Sequence, residues 1–155
     1  MSFSTQRHEG DPQRHEELGG LIAAASPYPR LPDETERLAA DIVDAAYTVH
    51  STLGPGLLES VYETCLCHEL MKRGISVRTQ VAVPIVYDGI RLESALRLDL
   101  LVGDCIILEL KSVEQMSPLY EAQLLSYLRL SGIRLGFLIN FNVARIKQGV
   151  QRIIV

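Results

Sequence analysis

The sequence predicts an α/β domain with a mixed β-sheet. Three observations carry that prediction. Apolar residues recur at helical spacing through the first third of the chain, after a polar start. The pattern then changes to strand-like runs rich in Val, Ile and Leu, with one more helical stretch between two of them. The chain has 155 residues and is 47% hydrophobic, enough for one domain with a real core.

Residues 1–32 are polar, with Gly19-Gly20 and prolines at 27, 29 and 32, and read as a flexible N-terminal arm. The domain is expected over 33–155. Asp33, after Pro32, is the expected N-cap of a first helix, in which Leu38, Ile42, Ala45, Val49 and Leu53 repeat at helical intervals. Gly54-Pro55-Gly56 breaks it. A second helix is expected from about Leu57 to Arg73, with Gly74 as its stop. "VRTQVAVPIVY" reads as a strand leading into the Asp88-Gly89 hairpin signal. "SALRLDLLV" and "CIILELK" are two further strands, joined near Gly103-Asp104. Ser117-Pro118 is a cap and first-turn proline for a third helix ending near Leu130. "RLGFLINF" is a short buried strand, and "RIKQGVQRIIV" supplies a last one.

Composition excludes several function classes. The formal net charge of −4 excludes a simple polybasic nucleic-acid binder. Charge is uneven, however: no acid follows Glu121, while Arg129, Arg134, Arg145, Lys147 and Arg152 do, so one face could meet an anionic partner. The plainer reading of that run is a solvated rim. Cysteines at 65, 67 and 105 are too few for a disulfide scaffold and fit a reducing cytoplasm. Cys65 and Cys67 point about 200° apart on a helix, and no second Cys/His cluster completes a zinc site. "LIAAA" is too short to span a bilayer, so no membrane association is expected.

Chemistry concentrates in one stretch, "LRLDLLVGDCIILELKSV". In a strand, Glu109 and Lys111 share a face, while Ile106, Leu108 and Leu110 fill the other. Buried charges need partners, and Asp99 is the nearest candidate across the hairpin. A two-residue turn at Gly103-Asp104 would set Asp99 opposite Leu108, on the wrong face. Asp99 can join Glu109 only if the loop holds an odd number of residues or the strand bulges. Two carboxylates beside a lysine suit a hard cation such as Mg²⁺. The lysine could then orient a water or stabilise charge on a phosphate. The plain alternative is an ion pair of Lys111 with Glu109 or Asp99 at the sheet rim.

On the second helix, Leu58, Val61, Tyr62, Cys65, Leu66 and Leu70 cover one arc. Glu59 and Glu69 fall inside it. Glu59 differs in lying in the first turn, where the helix dipole favours an anion. On the third helix, Gln123 and Tyr127 share a stripe with Leu119, Ala122 and Leu130. Both can hydrogen-bond a phosphate or a carboxylate, or be an ordinary core Gln and a Tyr with its hydroxyl at the rim.

The ordered set Gly56-x-x-Glu59, Asp99, Glu109-x-Lys111 and Gln123-x-x-x-Tyr127 resembles the PD-(D/E)XK nuclease superfamily. "GPGLLESVYE", "LDLLV", "ILELKSV", "EAQLLSYL" and "LGFLINF" resemble, more closely, the GxxExxY protein family over about residues 35–155. The resemblance implies a restriction-endonuclease-like fold, a small mixed sheet flanked by helices. It implies Asp99 and Glu109 as metal ligands, Lys111 as the catalytic lysine, and Glu59 as a helix-borne acid reaching the metal or its water. Gln123 and Tyr127 match a motif of RecB-like members and would position the phosphate or the lysine. Leu98 stands where a proline usually precedes the first acid. The expected function is Mg²⁺- or Mn²⁺-dependent hydrolysis of nucleic acid, with DNA favoured. A nuclease-fold binding or interaction module without cleavage is the alternative. At this size a homodimer or protein partner is one way to grip a long substrate.

Overall fold

The computed structural model describes residues 28–155. Helix α1 spans Asp33–Leu53 and α2 Glu59–Lys72. Strands β1 (Val77–Tyr87), β2 (Ile90–Val102) and β3 (Ile106–Lys111) follow, then α3 (Pro118–Ser131) and β4 (Leu135–Asn140). A short 3₁₀ turn, Ile146–Gln148, precedes β5 (Val150–Ile154). The five strands lie in the order β1-β2-β3-β4-β5. All neighbours are antiparallel except β3 and β4, which α3 joins as a crossover. This is the predicted restriction-endonuclease-like mixed sheet.

The sheet buries both faces. On one, Leu100, Val102, Ile106, Leu108, Leu110, Phe137 and Ile139 pack against α1 and α2. On the other, Leu98, Leu101, Ile107 and Leu138 pack against Leu124, Tyr127 and Leu128 of α3. Central strands β3 and β4 are therefore mostly apolar on both faces, and their polar residues, Glu109, Lys111 and Asn140, gather toward one end.

Of the expected arm, residues 1–27 lie outside the described residues. Its last residues pack on the domain: Leu31 is buried, and the Pro29 carbonyl accepts from Arg134 Nη2 at 2.7 Å. Pro32, not Asp33, occupies the N-cap position of α1. Asp33, Glu34 and Glu36 instead place negative charge in its first turn, where the dipole favours it. Glu69, the second acid on the buried arc of α2, is a structural ion pair. It accepts from Arg73 Nε at 3.1 Å and lies 3.0 Å from Lys72 Nζ, while Arg73 Nη1 reaches Asp44 of α1 at 2.7 Å. Burial alone would raise the Glu69 carboxyl, but these hydrogen bonds and charges hold it below its ordinary value.

Two helical stripes differ from expectation. On α2 the buried residues begin at Tyr62; Val61 is exposed and Leu58 is 74% exposed. On α3 the buried residues are Leu124, Tyr127 and Leu128, whereas Leu119, Ala122, Gln123 and Leu130 face solvent. Leucines lie on several sides of α3, so periodicity alone cannot choose which stripe meets the sheet.

Register decides the rest. Val102 pairs with Ile106, Leu101 with Ile107 and Leu100 with Leu108. The connection is the three-residue loop Gly103-Asp104-Cys105, odd as the sequence argument required. Gly103 (φ 56°) and Asp104 (φ 55°) both take the left-handed conformation. Continuing that register by one step sets Asp99 opposite Glu109. Deleting Asp104 would leave a two-residue loop and turn Asp99 toward the α1/α2 face. The deletion is expected to cost about 3–5 kcal/mol in a denaturant titration, the range for breaking a buried charged pair. A loss within 1 kcal/mol would show that loop length does not set the register.

Candidate active site

The β2–β3 ladder ends at Leu100↔Leu108, and the edge beyond it opens around Asp99 and Glu109. The Leu110 N–H has no ladder partner there and donates to Asp99 Oδ2 at 2.9 Å. The Asp99 N–H is oriented to Glu109 Oε1 at 3.3 Å. The two carboxyl groups are also hydrogen-bonded to each other, and Glu109 is only 4% exposed. Burial, first, and then repulsion from Asp99 push the Glu109 carboxyl up to about 8; the Asp99 N–H and the Lys111 charge oppose that rise. At neutral pH, without a cation, the pair holds a proton.

Lys111 projects on the same side of β3 as Glu109. Its Nζ lies 4.5 Å from the centre of the Tyr120 ring, a cation–π contact from the first turn of α3. That contact, rather than an ion pair with Asp99 or Glu109, holds the ammonium at the mouth of the site. Tyr120 had no role in the sequence reading.

Glu59 opens α2 beside the end of β3. Its carboxyl is raised by partial burial and by repulsion from Asp99, against the Lys111 charge and a hydrogen bond from the Ser112 N–H. Glu59 thus lies within electrostatic reach of both Asp99 and Lys111. Its approach is set by the turn before it. Gly56 has φ 94°, a conformation that strains any side chain. Tyr62, fully buried and stacked on Phe141 at 4.5 Å, pins that turn from below. Its hydroxyl donates to the Gly54 carbonyl at 2.6 Å and accepts from the Leu57 N–H at 3.1 Å. Ser112 Oγ donates to the Leu57 carbonyl at 2.6 Å and ties the turn to β3. The Gly56-x-x-Glu59-x-x-Tyr62 spacing is therefore a support for the acid: the tyrosine lies one helical turn beyond Glu59 and holds the loop that delivers it.

Gln123 and Tyr127 are hydrogen-bonded to each other, Nε2 to hydroxyl, at 2.6 Å. Tyr127 is buried against the sheet. Burial raises its hydroxyl, Gln123 lowers it, and the charges of Glu109 and Asp99 raise it further, so it borders the carboxylate pair. Gln123 is exposed and reaches the site through Tyr127. Buried Asn140, opposite Lys111 in the parallel ladder, was not anticipated either. Its side chain donates to the Val113 carbonyl at 2.9 Å and accepts from the Val113 and Asn142 N–H groups, each at 3.1 Å. No local pattern marks Ser112 or Asn140 in the sequence, because their partners are distant in the chain.

Among the described residues, no three His, Cys, Asp or Glu side chains stand together as a ready-made metal cage. The donors nevertheless suit a hard cation. Mg²⁺ typically binds through one or two carboxylates and keeps waters and substrate oxygens for the rest. Two facing carboxylates that must share a proton when alone are such a pair. The Leu110 carbonyl lies on the same strand edge as its N–H, beside Asp99.

A family model for the PD-(D/E)XK nuclease superfamily matches residues 36–153. The chain belongs to that superfamily, whose members are generally nucleases acting on nucleic acid. No curated protein matches the chain. No solved structure matches it. Among the described residues no helix is long and apolar enough to cross a membrane.

Two outcomes follow for the site. Glu109 has a folded value near 8 against about 4.5 unfolded, so the folded state keeps a proton that the unfolded state loses. Stability in EDTA should fall as pH rises through this window, by roughly 5 kcal/mol at most. Glu109→Gln should therefore match wild type near pH 4.5 and exceed it by several kcal/mol near pH 8.5. Equal melting curves at both pH values would contradict the buried pair. Tyr62→Phe should cost about 1–2 kcal/mol, since the Leu57 N–H and Gly54 carbonyl lose their partner. It should also lower cleavage by displacing Glu59; wild-type stability and turnover would remove Tyr62 as a support.

Proposed function

We propose that this protein is a divalent-cation-dependent nuclease of the GxxExxY type, hydrolysing phosphodiester bonds in DNA. The observation that carries the reading is the Asp99–Glu109 pair, placed face to face at an opened strand edge with Lys111 beside it. Nothing in core packing needs two carboxyl groups there, and burial, with repulsion from Asp99 added, keeps Glu109 protonated.

Asp99 and Glu109 would hold Mg²⁺ or Mn²⁺, with the Leu110 carbonyl and Glu59 as further donors to it or its water. When bound, the cation supplies charge neutralisation at the phosphate and a more acidic water. Lys111, steadied by Tyr120, faces the space before the pair and orients the attacking water or offsets charge on the phosphate oxygens. Glu59 is poised to accept a hydrogen bond from that water. Tyr127, aligned by Gln123, offers a hydroxyl to the phosphate or to the carboxylates. In the net reaction the water oxygen bonds to phosphorus, the ester P–O bond breaks, and a proton reaches the leaving oxygen. The cytoplasm is the proposed compartment, consistent with three free cysteines.

The test is cleavage of labelled DNA and RNA, single- and double-stranded, in Mg²⁺, Mn²⁺ and EDTA. Wild type should cleave DNA only with the cations. Lys111→Met should lose at least about 100-fold in turnover, the lower range for a charged transition-state group, while still binding Mn²⁺. Wild type that binds these substrates yet cleaves none would identify a non-cleaving module of the same fold.

A further inference from the structure

We infer that the cleft beside the Glu59 turn receives an unpaired nucleobase, so that the enzyme acts on single-stranded segments. The inference rests on the nuclease reading above and specifies its substrate. The cleft is lined by Gly56, Leu57, Leu58, Val61, Ser112, Glu114 and Asn142 and encloses about 680 Å³. Ligand clefts commonly span roughly 300–1,000 Å³. It adjoins the candidate active site directly: Ser112 follows Lys111 and hydrogen-bonds Glu59, and Glu59 stands between Leu58 and Val61 in the chain.

Its wall is apolar and exposed. Leu58 is 74% exposed, Leu57 38% and Val61 37%. Leu58 and Val61 are residues whose helical spacing predicts burial, yet the sheet does not cover them. The sugar-phosphate surface of an intact duplex offers such side chains no apolar partner. The face of an unpaired base does: unstacked bases are held between aromatic or apolar side chains, and single strands are tracked by a cationic groove along their backbone.

Two exposed basic residues follow the cleft wall in the chain and would supply the cationic track. Among the basic residues after Glu121, Arg152 pairs with Glu36 at 2.7 Å and Arg134 hydrogen-bonds the Val155 and Pro29 carbonyls. Arg145 and Lys147 are exposed and make no ion pair among the described residues. Both lie on the loop that leaves Asn142, a residue of the cleft wall. Asn140 anchors that loop to the exit of β3, so the track and the active-site strand are held together. Glu114, on the cleft wall, repels phosphate from the cleft itself. The strand then lies with its backbone on the Arg145–Lys147 side, and a base turned inward, where Glu114 and Asn142 offer hydrogen-bonding groups to its edge.

The experiment measures binding by fluorescence anisotropy in EDTA, with the full chain and three labelled DNA probes: a single strand, the same strand with abasic sites, and a blunt hairpin duplex. Wild type should bind the single strand at least tenfold more tightly than either other probe. Leu58→Ala/Val61→Ala, at exposed positions that leave the core intact, should remove that preference while leaving duplex binding unchanged. Arg145→Ala/Lys147→Ala should weaken single-strand binding and reduce its salt slope by about 1.4, two phosphate contacts' worth. Equal affinity for all three probes, or a preference that survives the Leu58/Val61 change, overturns the inference. If wild type still cleaves duplex DNA under those results, the nuclease reading stands alone. If wild type neither binds nor cleaves any nucleic acid, both fall.

Discussion

The rest of this structure depends on one constraint: two carboxyl groups, Asp99 and Glu109, are held opposite each other at the point where two strands part. A residue-for-residue ladder would have paired the Leu110 N–H with backbone. Here the Asp99 side chain takes it instead. The same carboxylate therefore satisfies a backbone donor and, added to the burial of Glu109, helps that group hold a proton. A fold selected only for stability has no use for that arrangement, because apolar residues of similar size would remove the repulsion. A divalent cation removes it equally well.

The surrounding elements keep that pair in place and bring other groups to it. The Gly103–Cys105 loop sets the register. The apolar faces of β3 and β4 fix the sheet between helical layers, so neither strand can slip without exposing its core residues. Tyr62 and Ser112 hold the Gly54–Leu57 turn, which delivers Glu59. Asn140 ties the exit of β3 to the loop after β4. These hydrogen bonds are part-buried, except the exposed one from Ser112, and they tie the rim of the site together.

Much of this was legible in the sequence, for identifiable reasons. Helix and strand order followed from periodicity and from Gly and Pro punctuation, which are local properties. The two-residue strand period put Glu109 and Lys111 on one face, but the loop parity that brings Asp99 to them stayed open until the register was seen. Helix phase was less legible. Leu58, Val61, Leu119 and Leu130 have core chemistry but lie on uncovered surface, and no local rule records which side of a helix the sheet will meet. Tyr120, Ser112 and Asn140 were silent because each acts through a partner fixed only by the tertiary fold. Gln123 and Tyr127 matched a motif, but Gln123 is exposed and hydrogen-bonds Tyr127 rather than the carboxylates.

The central claim is that Asp99 and Glu109 share a proton in the absence of a cation and exchange it for one. Calorimetric titration of the protein with Mn²⁺ at pH 7, repeated in buffers of different ionisation enthalpy, measures both events at once. The account predicts one binding site with release of about one proton per ion, and loss of both in Asp99→Asn/Glu109→Gln. Binding with no proton release, or unchanged binding in the double variant, would contradict it.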